Sequence, residues 1–306
     1  MGRGRLTGPT EERVTFDQLS ADLIRDYETN GRRSIASAKL SVAHLREHFG
    51  LDRALDITTD RIRAYIGQRK RDAASNASIN RELSALKRMF TLAIQANKFT
   101  WRPYIPTLEE NNARQGFLEH GAFVALRGAL PEYLRDPVTF LYHSGWRVSE
   151  MRTLEWRDVY LDSREVRLRP ELSKNKDGRV LPLDADLLTV FERAKSKRKL
   201  DCVRVFHSDG KPVGDFKKSW KSACKTAKLQ GTLVHDLRRT AVRNMIRASV
   251  PERLAMAISG HKTRSVVDRY NIVSESDLRD AADRLQTHLD ALPTTATVTV
   301  LRAASE

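Results

Sequence analysis

The 306-residue chain carries 54 Lys and Arg against 39 Asp and Glu, a formal net charge of +15, with 40% hydrophobic residues, eight histidines and two cysteines. That length suits two domains and that apolar share suits packed cores, so wholesale disorder is excluded. No apolar run nears the roughly 18 residues of a membrane span, the opening MGRGRLTGPTEER lacks the apolar stretch of a secretion signal, and Cys202 and Cys224 are too few for a disulfide framework or a four-ligand zinc site; the composition points to the cytoplasm or nucleoid, without membrane, metal or cofactor.

After a short basic arm at 1–14, residues 15–102 show helical periodicity. Leu19, Leu23, Ile24 and Tyr27 make one apolar stripe, and Ala38, Val42, Leu45 and Phe49 a second. A third, Ile62, Tyr65 and Ile66, follows the capping candidates Thr59 and Asp60, and Ile79, Leu83, Leu86, Phe90 and Ile94 form the clearest. These predict a small all-helical domain. The other face of its last helix carries Asn80, Arg81, Ser84, Lys87 and Arg88, groups suited to phosphates and base edges as well as to water.

Pro103, Pro106 and the polar run up to Gly116 predict an extended linker over 103–116. A second domain is expected over 117–290. Helical patterns resume there, interrupted at 158–183 by alternating stretches that predict a small antiparallel sheet with Asp177-Gly178 at a hairpin turn. Three helical patterns follow, on Leu187, Leu188 and Phe191, on Phe216, Trp220 and Cys224, and on Leu237, Ala241 and Met245, then a last helix. The tail, 291–306, contains TVTVL, a short strand pattern. The fold class is therefore mainly α with a small antiparallel β-sheet, and with +7 on residues 1–105 and +8 on the rest, both halves suit one polyanion.

Five segments of the second domain stand out: SGWRVSE at 144–150, SKNKDGR at 173–179, HDLRRT at 235–240, SGHKTR at 259–264 and DRY at 268–270. They supply Arg147, Lys174, His235, Arg238, His261 and Tyr270, a set able to hold a phosphodiester and pass it to a phenol oxygen. Each motif alone is weak, since His-x-x-Arg occurs twice, at His235 and at His261. The ordered set, with Gly145 before the first arginine and nine positions from His261 to Tyr270, is specific.

In that order the motifs make the chain resemble the tyrosine recombinases of the phage-integrase family, over about residues 15–290. The resemblance implies a two-domain DNA clamp, a helical core-binding domain followed by the tyrosine-recombinase catalytic fold. It further implies double-stranded DNA attachment sites as partners, a homotetramer on two such sites, room for accessory DNA-bending proteins, and integration or excision of a mobile element. Tyr270 matches the nucleophile, Arg147 and Arg238 the phosphate-binding arginines, Lys174 the hairpin lysine with Lys176 as its rival, and Glu150 an acidic position one turn after the first arginine. His235 fits the His-x-x-Arg histidine, and His261 a position that is His or Trp in relatives.

The chemistry explains these types. A free tyrosine titrates near about 10, so the phenol must lose a proton as it attacks, and His235 is the candidate acceptor. The arginines and His261 face charge developing on the phosphate oxygens, and the lysine protonates the departing 5′-oxygen. The product is a 3′-phosphotyrosine, reached with neither metal nor ATP in this scheme. Two rival classes are a type IB topoisomerase-like enzyme and a non-cutting DNA-binding protein of recombinase ancestry.

Other features carry smaller expectations. Arg239, Arg243 and Arg247 recur every four residues, a stripe read as a DNA-backbone contact. About 14 residues precede the first predicted helix, so the arm-binding domain of many integrases is expected to be absent or cut away. In related recombinases the segment after the nucleophile docks on a neighbour, so the tail is expected to bind in trans, with Val298 and Val300 on one strand face, against the alternative of a frayed terminus.

Overall fold

A computed structural model describes residues 11–110, 116–173, 177–264 and 275–292. The chain divides into two compact units, one within residues 1–113 and one within 114–306.

The first unit is helical. Helix α1, Phe16–Thr29, opens on a capping box in which the Thr15 hydroxyl accepts from the Gln18 backbone N–H while the Gln18 side chain accepts from the Thr15 N–H. Helices α2 (Ile35–Phe49), α3 (Thr59–Arg71) and α4 (Asn76–Gln95) follow. Their stripes meet in one core built on Phe16, Leu45, Phe49, Tyr65, Leu86 and Phe90. Thr58, not Thr59, caps α3, because its hydroxyl is the one that reaches the Arg61 N–H three residues on.

Residues 101–110 form no helix or strand and pack on this unit. Ile105 is buried in its core, the Asn80 amide donates to the Leu108 carbonyl at 2.8 Å and accepts from the Leu108 N–H at 2.8 Å, and Asn76 donates to the Glu109 carbonyl at 2.7 Å.

In the second unit, α5 (His120–Ala129), α6 (Glu132–Ser144) and the short α7 (Val148–Thr153) precede a three-stranded antiparallel sheet, β1 (Val159–Tyr160), β2 (Glu165–Leu168) and β3 (Arg179–Pro182). Pairing of β2 with β3 ends at Leu168 opposite Arg179. Asp177-Gly178 is thus the end of a long connection and not a two-residue turn; Pro170, which cannot donate to a ladder, helps to close the pairing early. Helix α8 (Ala185–Ser196), a small hairpin β4 (His207–Ser208) and β5 (Lys211–Pro212), and helices α9 (Lys217–Thr226), α10 (Asp236–Arg247) and α11 (Glu252–Ser259) complete the unit together with a last helix, Glu275–Asp290.

Its core centres on Phe140, Trp146, Phe191 and Phe206, with the Phe140 and Trp146 rings edge-on at 5.3 Å. The Trp146 indole N–H donates to the Ile258 carbonyl at 3.1 Å, tying the end of α6 to α11. Gly145 ends α6 at φ +65°, and a Cβ there would meet the Ala241 Cβ at 3.1 Å. A glycine is what lets α6 and α10 close to this distance. Among the described residues no helix is long and apolar enough to cross a membrane, and no group of three or more His, Cys, Asp or Glu gathers that could hold a metal ion.

Candidate active site

Arg147 sits at the N-cap of α7, held by the third residue of that helix. The Glu150 carboxylate reaches back to accept from the Arg147 backbone N–H at 2.7 Å and from its Nη1 at 2.8 Å. Glu150 is fully buried, and it also accepts from Arg179 Nη2. Burial alone would push its pKa up; the Arg179 charge and the hydrogen bonds from both arginines more than offset this and hold it below the ordinary carboxylate value. Arg179 stacks over the Trp146 ring at 4.7 Å, and Gly260, at φ +74°, leaves the room its guanidinium occupies.

Arg238, in the first turn of α10, is 3% exposed. Its Nη1 donates to the carbonyls of Gly145 at 2.6 Å and Ser259 at 2.5 Å, its Nη2 to Gly260 at 3.3 Å, and its Nε to His261 Nε2 at 3.1 Å. The ends of α6 and α11 therefore both converge on one guanidinium. A planar fork of five donors fixed in one plane can bind these carbonyls and the imidazole at once, where a lysine offers three donors on a single point charge.

Desolvation first, then the charges of Arg238 and Arg147, lowers the His261 pKa to about 3, so the ring is neutral at physiological pH. His235, at the N-cap of α10, also has a lowered pKa, from desolvation and then the Arg238 charge, with Asp236 opposing. A neutral imidazole is the form that accepts a proton. The mutual influence of Arg147, His235, Arg238 and His261 places these four sequence-selected residues in one electrostatic neighbourhood, with Glu150 behind the first. Lys174, Lys176 and Tyr270 lie outside the described residues, as do the tail positions 293–306.

Arg179 was not singled out by its sequence. The signal was there: Arg179 and Leu181 share a face of β3, Leu181 is buried, and Val180 between them is exposed. A charge on an inward strand face needs a partner. Ser259, buried beside His261, gave no such signal.

The expected DNA-facing residues divide. Arg81, Ser84 and Lys87 are exposed on α4. Asn80 is 9% exposed and is engaged with residues 108–110, so the DNA-facing expectation for its side chain is corrected: one turn of α4 rotates it toward the packed segment. Arg88 is half-buried and donates to Asp26 at 3.1 Å.

On α10 the DNA-backbone expectation is corrected for Arg243. Arg243 is 3% exposed, lies over the Phe117 ring and donates to Glu119 at 2.8 Å. Arg239 donates to the Gly116 carbonyl at 3.5 Å, and Arg247 lies 3.7 Å from Glu119. Arg243 thus holds the start of the second unit, where an apolar ring and a carboxylate compete with any phosphate.

Comparison with known proteins gives a consistent picture. Residues 122–276 match the phage integrase family, and residues 39–97 the phage integrase N-terminal SAM-like domain. The integrase of Salmonella phage P22 is 24% identical over 194 residues, 60% of this chain and 50% of that protein. The tyrosine recombinase XerC of Corynebacterium efficiens is 25% identical over 242 residues, 74% of this chain and 77% of that protein. This chain therefore spans half the length of the phage relative and most of the bacterial one.

Among solved structures, a lambda integrase dimer bound to a COC′ core site aligns with a TM-score of 0.71 at 18% identity, over 83% of this chain and 97% of that one. The Tn1549 transposon integrase in complex with transposon right end DNA aligns with a TM-score of 0.75 at 17% identity, over 89% of this chain and all of that one. At such identities these alignments show the shared fold. With the family match covering half of its length, the chain belongs to the phage integrase family.

Proposed function

We propose that this protein is a site-specific DNA recombinase that cuts and rejoins strands through a 3′-phosphotyrosine at Tyr270, integrating or excising a mobile element. The observation that supports this best is the 3.1 Å contact of Arg238 with His261, whose ring also feels the charges of Arg147 and His235, in a chain of this family. In this reading the Tyr270 oxygen attacks the scissile phosphorus, the P–O5′ bond breaks, the phenol proton passes to neutral His235, and Lys174 protonates the departing 5′-oxygen. Arg147 and Arg238 oppose charge on the non-bridging oxygens, held in advance by Glu150 and by main-chain carbonyls. The bond energy stays in the phosphotyrosine, so a partner strand's 5′-hydroxyl reverses the step.

Double-stranded attachment sites are the substrate, and the exposed cations of α4 reach their backbone. The lambda integrase has been seen as a tetramer bound to a Holliday junction, and we extend that assembly on two sites to this chain, which would act in the nucleoid. The core-binding domain, linker and catalytic domain keep the bounds 15–102, 103–116 and 117–290 in this reading.

A nicked suicide substrate tests the central step. Wild-type protein should give a covalent protein–DNA adduct, with or without EDTA, because arginines oppose the developing charge. Tyr270→Phe should bind DNA and give none; an adduct from this variant would move the nucleophile elsewhere. For the leaving group, a 5′-bridging phosphorothiolate needs no proton donor, so it should rescue cleavage by Lys174→Ala and help Arg147→Ala little. Rescue of Lys176→Ala instead would exchange the two lysines.

A further inference from the structure

Four groups, the partly buried His261 ring and the buried Arg238, Ser259 and Ala255, form a chain whose hydrogen positions are fixed by their chemistry. An arginine Nε carries one proton and no lone pair for a hydrogen bond, so in its 3.1 Å contact with His261 Nε2 the imidazole nitrogen must accept. A neutral ring that accepts at Nε2 bears its proton on Nδ1. That nitrogen lies 2.7 Å from Ser259 Oγ, and Ser259 Oγ in turn donates to the Ala255 carbonyl at 2.6 Å, one helical turn back on α11. The serine hydroxyl has one proton, already given to Ala255, so it receives the Nδ1 proton through a lone pair. Ser259 is fully buried, and its own carbonyl accepts from Arg238 Nη1.

We propose that the Ser259 hydroxyl sets the tautomer of His261 so that Nε2 accepts from Arg238, making His261 a positioning residue for that guanidinium and Ser259 a positioning residue for His261. This goes beyond a histidine that simply donates to the phosphate, and it rests on the reading of Arg238 as a phosphate-binding arginine. The arrangement has a physical advantage. An imidazole fixed as an acceptor turns the Arg238 plane about its Nε–H bond, while the carbonyls of Gly145 and Gly260 fix the other edge. The lowered His261 pKa is consistent with it, since a ring facing Arg238, Arg147, His235 and Arg179 is kept from gaining a second proton.

The tautomer is read directly in the full-length, DNA-free protein labelled with 15N-histidine, using long-range 1H–15N correlation, with the His261 signals identified by their loss in His261→Trp. Wild type should show a protonated Nδ1 and an unprotonated Nε2. Ser259→Ala, which removes only the hydroxyl, should move the population toward protonated Nε2. It should also slow suicide-substrate cleavage on the order of tenfold to a hundredfold with duplex binding nearly unchanged, the scale of a misplaced reacting group. His261→Trp retains a ring N–H but cannot accept, so it should cleave no faster than His261→Ala.

A protonated Nε2 in wild type would overturn the proposal without touching the recombinase reading. Wild-type cleavage by His261→Trp would overturn it as well. Absence of any adduct from wild type would instead sink the recombinase reading, while the tautomer measurement would stand on its own.

Discussion

Arg238→Lys is expected to slow cleavage of a suicide substrate by about 10²- to 10³-fold although the positive charge is kept, the range seen when one donor to a developing oxyanion is lost. The reason is geometric. Arg238 contacts the carbonyls of Gly145, Ser259 and Gly260 and the His261 ring at the same time, from nitrogens fixed in one plane. An ammonium is a compact point charge with three donors on a flexible stem, so it can satisfy part of this set while losing its aim at the phosphate. Carbonyls left without donors cost about 1–3 kcal/mol each, so the variant should also melt at a lower temperature. Single-turnover cleavage and a thermal melt check both effects. A lysine variant that cleaves within tenfold of wild type would mean that charge, not the fork, is what the site requires.

Arg179→Met is expected to lower the unfolding free energy by about 3 kcal/mol at neutral pH, the scale for removing one partner of a buried ion pair. Glu150 is fully buried, and after the substitution only Arg147 remains of the two arginines that hold it ionised. Adding Glu150→Gln should restore part of the loss, because it removes the unpaired charge rather than the packing.

The pH dependence has a definite sign. In wild type the Glu150 pKa lies below its ordinary 4.5, so its contribution is present above that value and is lost as the pH falls through the folded pKa. Without Arg179 the largest lowering influence is gone and Arg147 alone opposes burial, so the carboxyl is expected to protonate more readily and the variant to gain relative stability as the pH falls toward 4.5. The deficit should therefore shrink between pH 7.5 and pH 5 in urea titrations. A deficit under 0.5 kcal/mol at neutral pH, within the scatter of a surface substitution, would show that Arg147 alone suffices. Cleavage should fall with stability restored in the double variant too, since Arg147 then lacks its carboxylate.

The helices of the first unit were legible because each repeats its apolar residues at helical spacing, and Leu19, Leu23, Leu45, Phe49, Leu83 and Leu86 are buried as that spacing requires. Their solvent faces were less legible. Asn80 and Arg81 are adjacent in the chain and both are able to contact DNA, yet one is spent on Leu108 and the other is exposed. Periodicity locates a face to within a residue or two. It does not say that a segment 28 positions later will cover its edge. Arg243 is a similar case, since only the fold brings Phe117 and Glu119 against it.

By itself, the sequence determined the class of the protein, most of its helical and sheet segments, and a candidate set for its chemistry, because an ordered set of motifs between residues 144 and 270 is hard to reach by chance and because local spacing controls helix and strand. The tertiary structure alone decided what each of those residues leans on. Arg147 is held by Glu150, Glu150 by Arg179, Arg238 by three carbonyls and His261, and His261 by Ser259. Each support comes from a residue whose type is ordinary and whose importance arises from burial. In water Glu150 and Ser259 would be two more polar side chains; taken out of water, each must find partners, and the partners found are Arg147, Arg179 and His261.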